Sequence, residues 1–219
     1  MLPKVIIHNS ISLDSSLTGF KPNMGLHYQI AGSYKPAVHL IGSKTAKVGF
    51  ELFGASVPPE EAMDFEKLKR DENLPFWVIP DTKGILKGML HACRRFEFCR
   101  DVVVLVSEAT PNDYVKHLEE RNYGYFVVGD DHVNLRKALV TLSEKFKARR
   151  VLTDTGRILG NLLLEQGLVD EVSLLVHPVI VGEKSYNIFG NITKNPTLKL
   201  WKQEKLEKGC VWLVYKVKN

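Results

Sequence analysis

Val102-Val-Val-Leu-Val106, with Ser107-Glu-Ala-Thr-Pro111 directly behind it, decides the fold class of this chain. A nearly uninterrupted β-branched run reads as a strand covered on both faces, the habit of parallel sheets. Thr110-Pro111 reads as an N-cap followed by proline at the first helical position, so a helix is expected to about Arg121. Toward the C-terminus the alternation repeats. Tyr125-Phe-Val-Val128 is a strand that ends in Gly129-Asp-Asp131. A helix follows from about Asn134 to Phe146, with apolar Leu135, Leu139, Leu142 and Phe146 on one face. Arg150-Val-Leu-Thr153 is a strand, and Ile158 to Gln166 is a helix closed by Gly167. Glu171 to Val176 is a strand that Pro178-Val-Ile-Val181 extends. Toward the N-terminus lie strands at Phe76 to Ile79 and Val38 to Ile41. The second of these is closed by Gly42-Ser-Lys-Thr45, with a helix opening at Ser43. Gly25 to Ala31 reads as helix, and Val5 to Leu13 as an opening strand that stops at Asp14-Ser-Ser. Pro58-Pro-Glu-Glu61 begins an acidic helical segment running to about Arg70.

Strands alternating with helices imply parallel βαβ units. Leu198 to Lys205 and Cys210 to Val217 instead alternate around Glu207-Lys-Gly209, a hairpin. The expected fold is therefore α/β: one domain over residues 1–219, a mostly parallel central sheet with flanking helices, and a C-terminal antiparallel hairpin.

Composition narrows the function classes. The chain has 219 residues, 44% hydrophobic and 25% charged, which excludes a disordered tail. Three cysteines are too few for a disulfide scaffold and fit a reducing, cytoplasmic setting. No apolar run approaches the ~20 residues that span a bilayer, and Lys4 and His8 break the opening stretch as a signal peptide. No membrane partner is expected. The net charge of +5 is scattered over Lys67-Leu-Lys-Arg70, Lys145 to Arg150 and the C-terminal end rather than gathered in a stripe. A nucleic-acid partner is not expected, while an anionic small molecule or a dinucleotide suits the charge.

Open α/β sheets bind ligands beyond the carboxyl ends of their strands, where helix N-termini offer free amides to anions. Four such ends stand out: Gly42-Ser43-Lys44-Thr45, Ser107 to Thr110, Gly129-Asp130-Asp131, and Asp154-Thr155-Gly156-Arg157. Each also reads as ordinary capping. The glycine fingerprint of the classical dinucleotide fold and the P-loop are both absent. The opening strand adds Asn9, Ser12 and Asp14, and a carboxylate at a strand end can orient a substrate or move a proton. His91-x-Cys93 with Cys99 lacks a second ligand pair, so no metal is expected. No Gly-x-Ser-x-Gly elbow exists. His177 before Pro178 reads as structural.

Gly160-Asn-Leu-Leu-Leu164, Gly167-Leu-Val-Asp-Glu171 and Pro178-Val-Ile-Val-Gly182, in that order, closely resemble the C-terminal signature of the riboflavin-pathway pyrimidine reductases. These form the reductase half of deaminase–reductase proteins and share the dihydrofolate reductase fold. Ile11-Ser-Leu-Asp14 resembles that family's strand-one motif, and Val104 to Pro111 and Tyr125 to Gly129 its middle strands. The resemblance implies an NADPH-dependent reductase that converts the ribosyl group of 5-amino-6-(5-phosphoribosylamino)uracil to ribityl. It implies NADPH contacts at Gly42, Ser43, Thr45, Ser107, Gly129, Asp130, Thr155, Gly156, Arg157 and Ile158. Asn9, Ser12 and Phe20 would meet the substrate, Phe20 as an aromatic wall, and Asp14 and Asp154 would serve catalysis.

Some positions depart from the family pattern. Ser15 replaces the glycine after the strand-one Asp, which implies a different turn. Asp154-Thr155-Gly156 replaces Glu-Gly-Gly. The usual lysine after the turn gives way to Leu17-Thr-Gly-Phe20. No zinc deaminase half is present. Two other readings stay open: a dihydrofolate reductase-like enzyme with another substrate, and a non-catalytic nucleotide-binding domain of the same fold. The family implies a homodimer, to which the stripe at Val211, Leu213 and Val217 could contribute, although the same stripe reads as packing on the domain's own core.

Overall fold

The computed structural model describes residues 1–52, 57–67 and 69–218. In chain order the elements are β1 (Lys4–Ser12), α1 (Met24–Ser33), β2 (Val38–Leu40), α2 (Ser43–Leu52), β3 (Phe76–Pro80), α3 (Leu90–Arg95) and β4 (Val102–Val106). There follow α4 (Asn112–Glu120), β5 (Gly124–Val127), α5 (Leu135–Phe146), β6 (Arg150–Thr153), α6 (Arg157–Glu165), β7 (Glu171–His177), β8 (Thr197–Lys205) and β9 (Val211–Lys218). The chain is α/β, with mostly parallel strands, flanking helices and a C-terminal antiparallel hairpin. It divides into two compact units, residues 1–3 with 37–149 and residues 4–36 with 150–219.

In the first unit β3 pairs in parallel with β2 and with β4, and β4 pairs in parallel with β5. Every residue of β4 is buried, as its continuous apolar run requires. Val102, Val104 and Val106 pack with Ile79, Leu86, Leu90, Tyr114 and Leu118. Helix α5 opens on Asn134, whose side chain accepts from the Lys137 amide. Helix α4 starts one residue later than its sequence signal. Pro111 occupies the cap position, and the Thr110 hydroxyl instead accepts from the Ser107 amide at 3.0 Å.

The acidic helix expected from Pro58 to about Arg70 is a correction. Only Ala62–Phe65 forms a short 3-10 turn, and Leu68 lies outside the described residues. Arginines from elsewhere hold this segment. Arg95 pairs with Asp64 at 2.5 Å and Arg121 with Glu60 at 2.7 Å. Arg94, 1% exposed, donates to the carbonyls of Asp64, Arg121 and Asn122 and to the Asp101 carboxylate, and stacks over the Tyr123 ring. Arg94 belongs to α3, a six-residue helix without a sequence signal of its own.

In the second unit β1 is parallel to both β6 and β7, while β9 runs antiparallel to β7 and to β8. A register shift interrupts β8 between Leu200 and Lys202. Strand β7 stops at His177, so the expected extension through Val181 is also corrected. The Leu13 amide takes the Val179 carbonyl at 2.8 Å, a single contact that does not continue the ladder. Val211, Leu213 and Val217 are half-buried on β9. Gly167, at φ 61°, follows α6 as its sequence signal requires. Among the described residues no helix is long and apolar enough to cross a membrane.

Candidate active site

Side chains alternate along a strand, and β1 uses that alternation to build two polar surfaces. The odd positions include Asn9, 4% exposed. Its amide Nδ2 donates to the carbonyls of Asp154 at 3.0 Å and Thr155 at 3.2 Å. Asn9 thereby fixes the turn between β6 and α6. Its own Oδ1 is buried without a hydrogen-bond partner, as is Thr153 Oγ1 at the end of β6. Unsatisfied buried acceptors of this kind are uncommon and mark places where a donor is missing.

The even positions are His8, Ser10 and Ser12, all buried. Ser10 Oγ lies 3.2 Å from His27 Nδ1, and His27 Nε2 lies 3.4 Å from Asp154 Oδ2. The ring of His27, on α1, stacks on the ring of His8 at 4.6 Å between centroids. His8 in turn lies 3.0 Å from Ser173 Oγ, which accepts from Trp212 Nε1 at 2.8 Å. Burial, with the neighbouring His27 adding to it, pushes His8 down to about 3, so His8 is neutral at physiological pH. Tyr28 meets His27 edge-on, and burial together with the Asp154 charge pushes its phenol up to about 12.

Asp14 occupies the turn after β1. Ser12 Oγ donates to it at 2.5 Å, and the amides of Val181 and Gly182 at 3.1 and 2.8 Å. These donors hold its carboxyl down to about 2, the Ser12 hydroxyl foremost. Asp14 thus anchors the loop after β7. In the same turn Ser15 adopts φ 65°, the left-handed region that favours glycine. Ser16 Oγ completes the stitching by accepting from the Tyr186 amide at 2.8 Å. Phe20 packs at 5.2 Å on the ring of His177, whose Nε2 accepts from the Asn23 amide at the start of α1.

Gly156 precedes α6 with φ −64°, a backbone conformation that any residue can adopt. Thr155 is 2% exposed and Ile158 is 47% exposed. The Arg157 guanidinium lies 4.0 Å over the Tyr186 ring and close to Gly190. The resemblance implies an NADPH contact for this same side chain.

The first unit carries the remaining expected cofactor residues. Gly42 immediately precedes α2, whose first turn holds Ser43 and Thr45, and the Ala46 amide donates to the Gly42 carbonyl at 2.9 Å. Ser107 is 3% exposed and its hydroxyl has no partner. Behind it, the amides of Glu108 and Ala109 donate to the carbonyls of Gly129 and Asp130. Gly129 needs its glycine. At φ 123° an added Cβ would lie 2.2 Å from the His132 carbonyl oxygen. Gly129, Asp130, Arg136 and Lys137 border an open depression of about 560 Å³. Cys93 and Cys99 are buried with their thiols pushed up by burial, and no group able to hold a metal occurs among the described residues.

His8, His27 and Tyr28 are the site residues that sequence reasoning missed. A signal existed for His27, which stands three and four residues before buried Ile30 and Ala31, on the inward stripe of α1. His8 was readable from parity, since it shares a strand face with Ser10 and Ser12.

No curated protein matches the chain by sequence. Solved structures of the same fold include a pyrimidine reductase-like protein from Corynebacterium diphtheriae, with a TM-score of 0.72, 18% identity, and coverage of 99% of this chain and 92% of that one. The riboflavin biosynthesis reductase Rib7 of Saccharomyces cerevisiae is similar at a TM-score of 0.67 and 16% identity, covering 99% and 90%. RibD of Acinetobacter baumannii is similar at a TM-score of 0.70 and 18% identity, and the match covers 100% of this chain but 59% of RibD. The model of the RibD C-terminal domain matches residues 3–212, and the chain belongs to that family.

Proposed function

We propose that the chain is an NADPH-dependent reductase of the pyrimidine reductase type, working as one domain. Its substrate on this reading is 5-amino-6-(5-phosphoribosylamino)uracil, whose ribosyl group becomes ribityl. The observation that carries this reading is the Asp154–Thr155–Gly156 turn, clamped by Asn9 in front of α6 and flanked by His27. Family membership supplies the reaction class.

Each unit, taken by itself, carries residues that suit part of a dinucleotide. Asn9 Oδ1 is a buried acceptor without a donor, which suits an amide N–H, and Ser107 Oγ is a buried hydroxyl without a partner. Two helices of nine or more residues, α2 and α6, open at candidate phosphate contacts. Gly42, Ser43, Thr45, Ser107, Gly129 and Asp130 are the candidates in the first unit. Thr155, Gly156 and Ile158 are those in the second. Arg157 joins them if it leaves Tyr186 on binding. When bound, the reduced nicotinamide supplies a hydride.

The chain's own residues orient and protonate. Asn9 fixes the carbonyls of the turn and so aims the α6 amides. Phe20 and Ser12 border the substrate side. Asp14 holds the loop after β7 in place, and Asp154 is the carboxyl that serves the departing ring oxygen. A homodimer built on the β8–β9 hairpin and a cytoplasmic location go with this reading.

Titration of the purified protein with NADPH and NADH, followed by nicotinamide fluorescence, tests it first. Micromolar or tighter NADPH binding, and NADPH oxidation on addition of the ribosylaminouracil, are expected. NADPH binding without NADPH oxidation in the presence of either this substrate or dihydrofolate would favour the non-catalytic nucleotide-binding reading. The absence of binding to both cofactors would refute the reductase assignment.

A further inference from the structure

We propose that His27 is the positioning residue for Asp154 and holds its carboxylate through the imidazole Nε2–H. The inference rests on the reductase reading above for its chemistry but on geometry for its existence. Asp154 Oδ2 faces His27 Nε2 at 3.4 Å, with the carboxylate side chain 16% exposed and the imidazole 6% exposed. The pair therefore has one end toward solvent and one end sealed. Contacts of this length commonly tighten when a substrate enclosure excludes water.

The sealed end defines the tautomer. His27 Nδ1 faces the Ser10 hydroxyl at 3.2 Å, which can donate to it and leave Nε2 to carry hydrogen toward Asp154. The groups facing His27 complete the argument. His8, from β1, stacks on its ring and stays uncharged through burial. Tyr28, its neighbour on α1, presents a ring edge and keeps its phenol protonated. Ser10 is neutral. Asp154 is the one charged group that the described contacts bring to His27, so the Nε2–H has that carboxylate as its acceptor.

The proton then has a defined route. It reaches the Asp154 carboxylate from water at the exposed end of the pair, and the resulting carboxylic acid would give it to the ring oxygen as the C–O bond breaks, while His27 keeps its Nε2–H and holds Oδ2 in place. Bound NADPH would supply the hydride to the carbon, so one hydride and one proton enter the product. Asp154 is left ionised and regains one proton from water. Sequence alone pointed to the carboxylate, and the structure adds the imidazole behind it.

Two measurements test the dyad. In the ¹H–¹⁵N spectrum of the full chain, the His27 Nε2–H proton should be protected from exchange and shifted downfield. The signal should vanish in His27→Gln and lose its protection in Asp154→Asn. A His27 found in the Nδ1–H tautomer, or an Nε2–H indifferent to Asp154→Asn, would overturn the proposal. In NADPH oxidation with 5-amino-6-(5-phosphoribosylamino)uracil, His27→Gln should lower kcat about 100-fold. Its KM should be unchanged and its pH–rate profile displaced, because the bond that holds the Asp154 carboxylate is gone. An unchanged kcat and profile would likewise overturn it. If the wild-type protein oxidises no NADPH with this substrate, the reductase reading fails, and the spectrum alone decides whether the dyad exists.

Discussion

Mild acid should weaken the second unit through His8. This side chain is completely buried, and its proton affinity falls from an ordinary 6.5 to about 3 on folding. Between those values the unfolded chain binds a proton that the folded chain refuses. Stability therefore falls as pH drops below 6.5 and is unaffected by this group above it. The slope in that window is about 1.4 kcal/mol per pH unit. From pH 7 to pH 5 the loss from His8 alone is about 2 kcal/mol. Urea unfolding followed by circular dichroism at both pH values measures the total, and the same experiment on His8→Gln removes this contribution. The wild-type protein should lose about 2 kcal/mol more than the variant over that interval. Because His27 touches His8, the subtraction carries some coupling, so imidazole NMR provides the direct check. The His8 resonances should show no titration down to pH 4 or so. Equal acid losses in the two proteins, together with a His8 ring that titrates near 6.5, would refute the reasoning.

Other perturbations follow from the same geometry. Arg94→Met removes a buried guanidinium from three carbonyls and a carboxylate, and should lower stability by about 3–5 kcal/mol in chemical denaturation. A loss below about 1 kcal/mol would mean that water replaces it freely. Ser15→Gly relieves a left-handed backbone at φ 65° and should stabilise by about 1 kcal/mol, read as a raised melting temperature. Gly129→Ala drives a methyl into the His132 carbonyl oxygen. It should destabilise by more than about 1 kcal/mol and weaken NADPH binding at a temperature where the variant is still folded. Unchanged affinity in that folded variant would remove Gly129 and Asp130 from the cofactor contacts.

The parallel strands and their helices were legible because each is a local pattern. Val102 to Val106 is apolar without a break, Asn134 caps α5, and Gly167 ends α6. The segment from Pro58 to Arg70 was misread because its acidic residues answer to arginines far along the chain rather than to a helix of their own. Glu60 meets Arg121 and Asp64 meets Arg95, over 61 and 31 residues of sequence. The same reason hides α3, whose Arg94 looks like a surface charge until its partners are known. In the site, Asp154 and Asn9 were visible as polar residues at strand ends. Their relation was not, since Asn9 acts on backbone carbonyls 145 and 146 residues away. Asp14 was read for its charge, and that charge is used by the amides of a distant loop. His27 was hidden by a helix whose inward face is only weakly apolar.

Strand β8 has a consequence for the chain's solubility. It is the outermost strand of its unit, exposed along nearly all its length, with Trp201 at 63% exposure. A rim of unpaired amides and carbonyls invites other chains to add on without limit. Here Lys199, Lys202 and Lys205 stand along the rim, and the register break at Leu200/Lys202 bends the template. Together they act as gatekeepers: a matching surface can still settle on the tryptophan, but a growing stack of strands meets both a kink and accumulating positive charge.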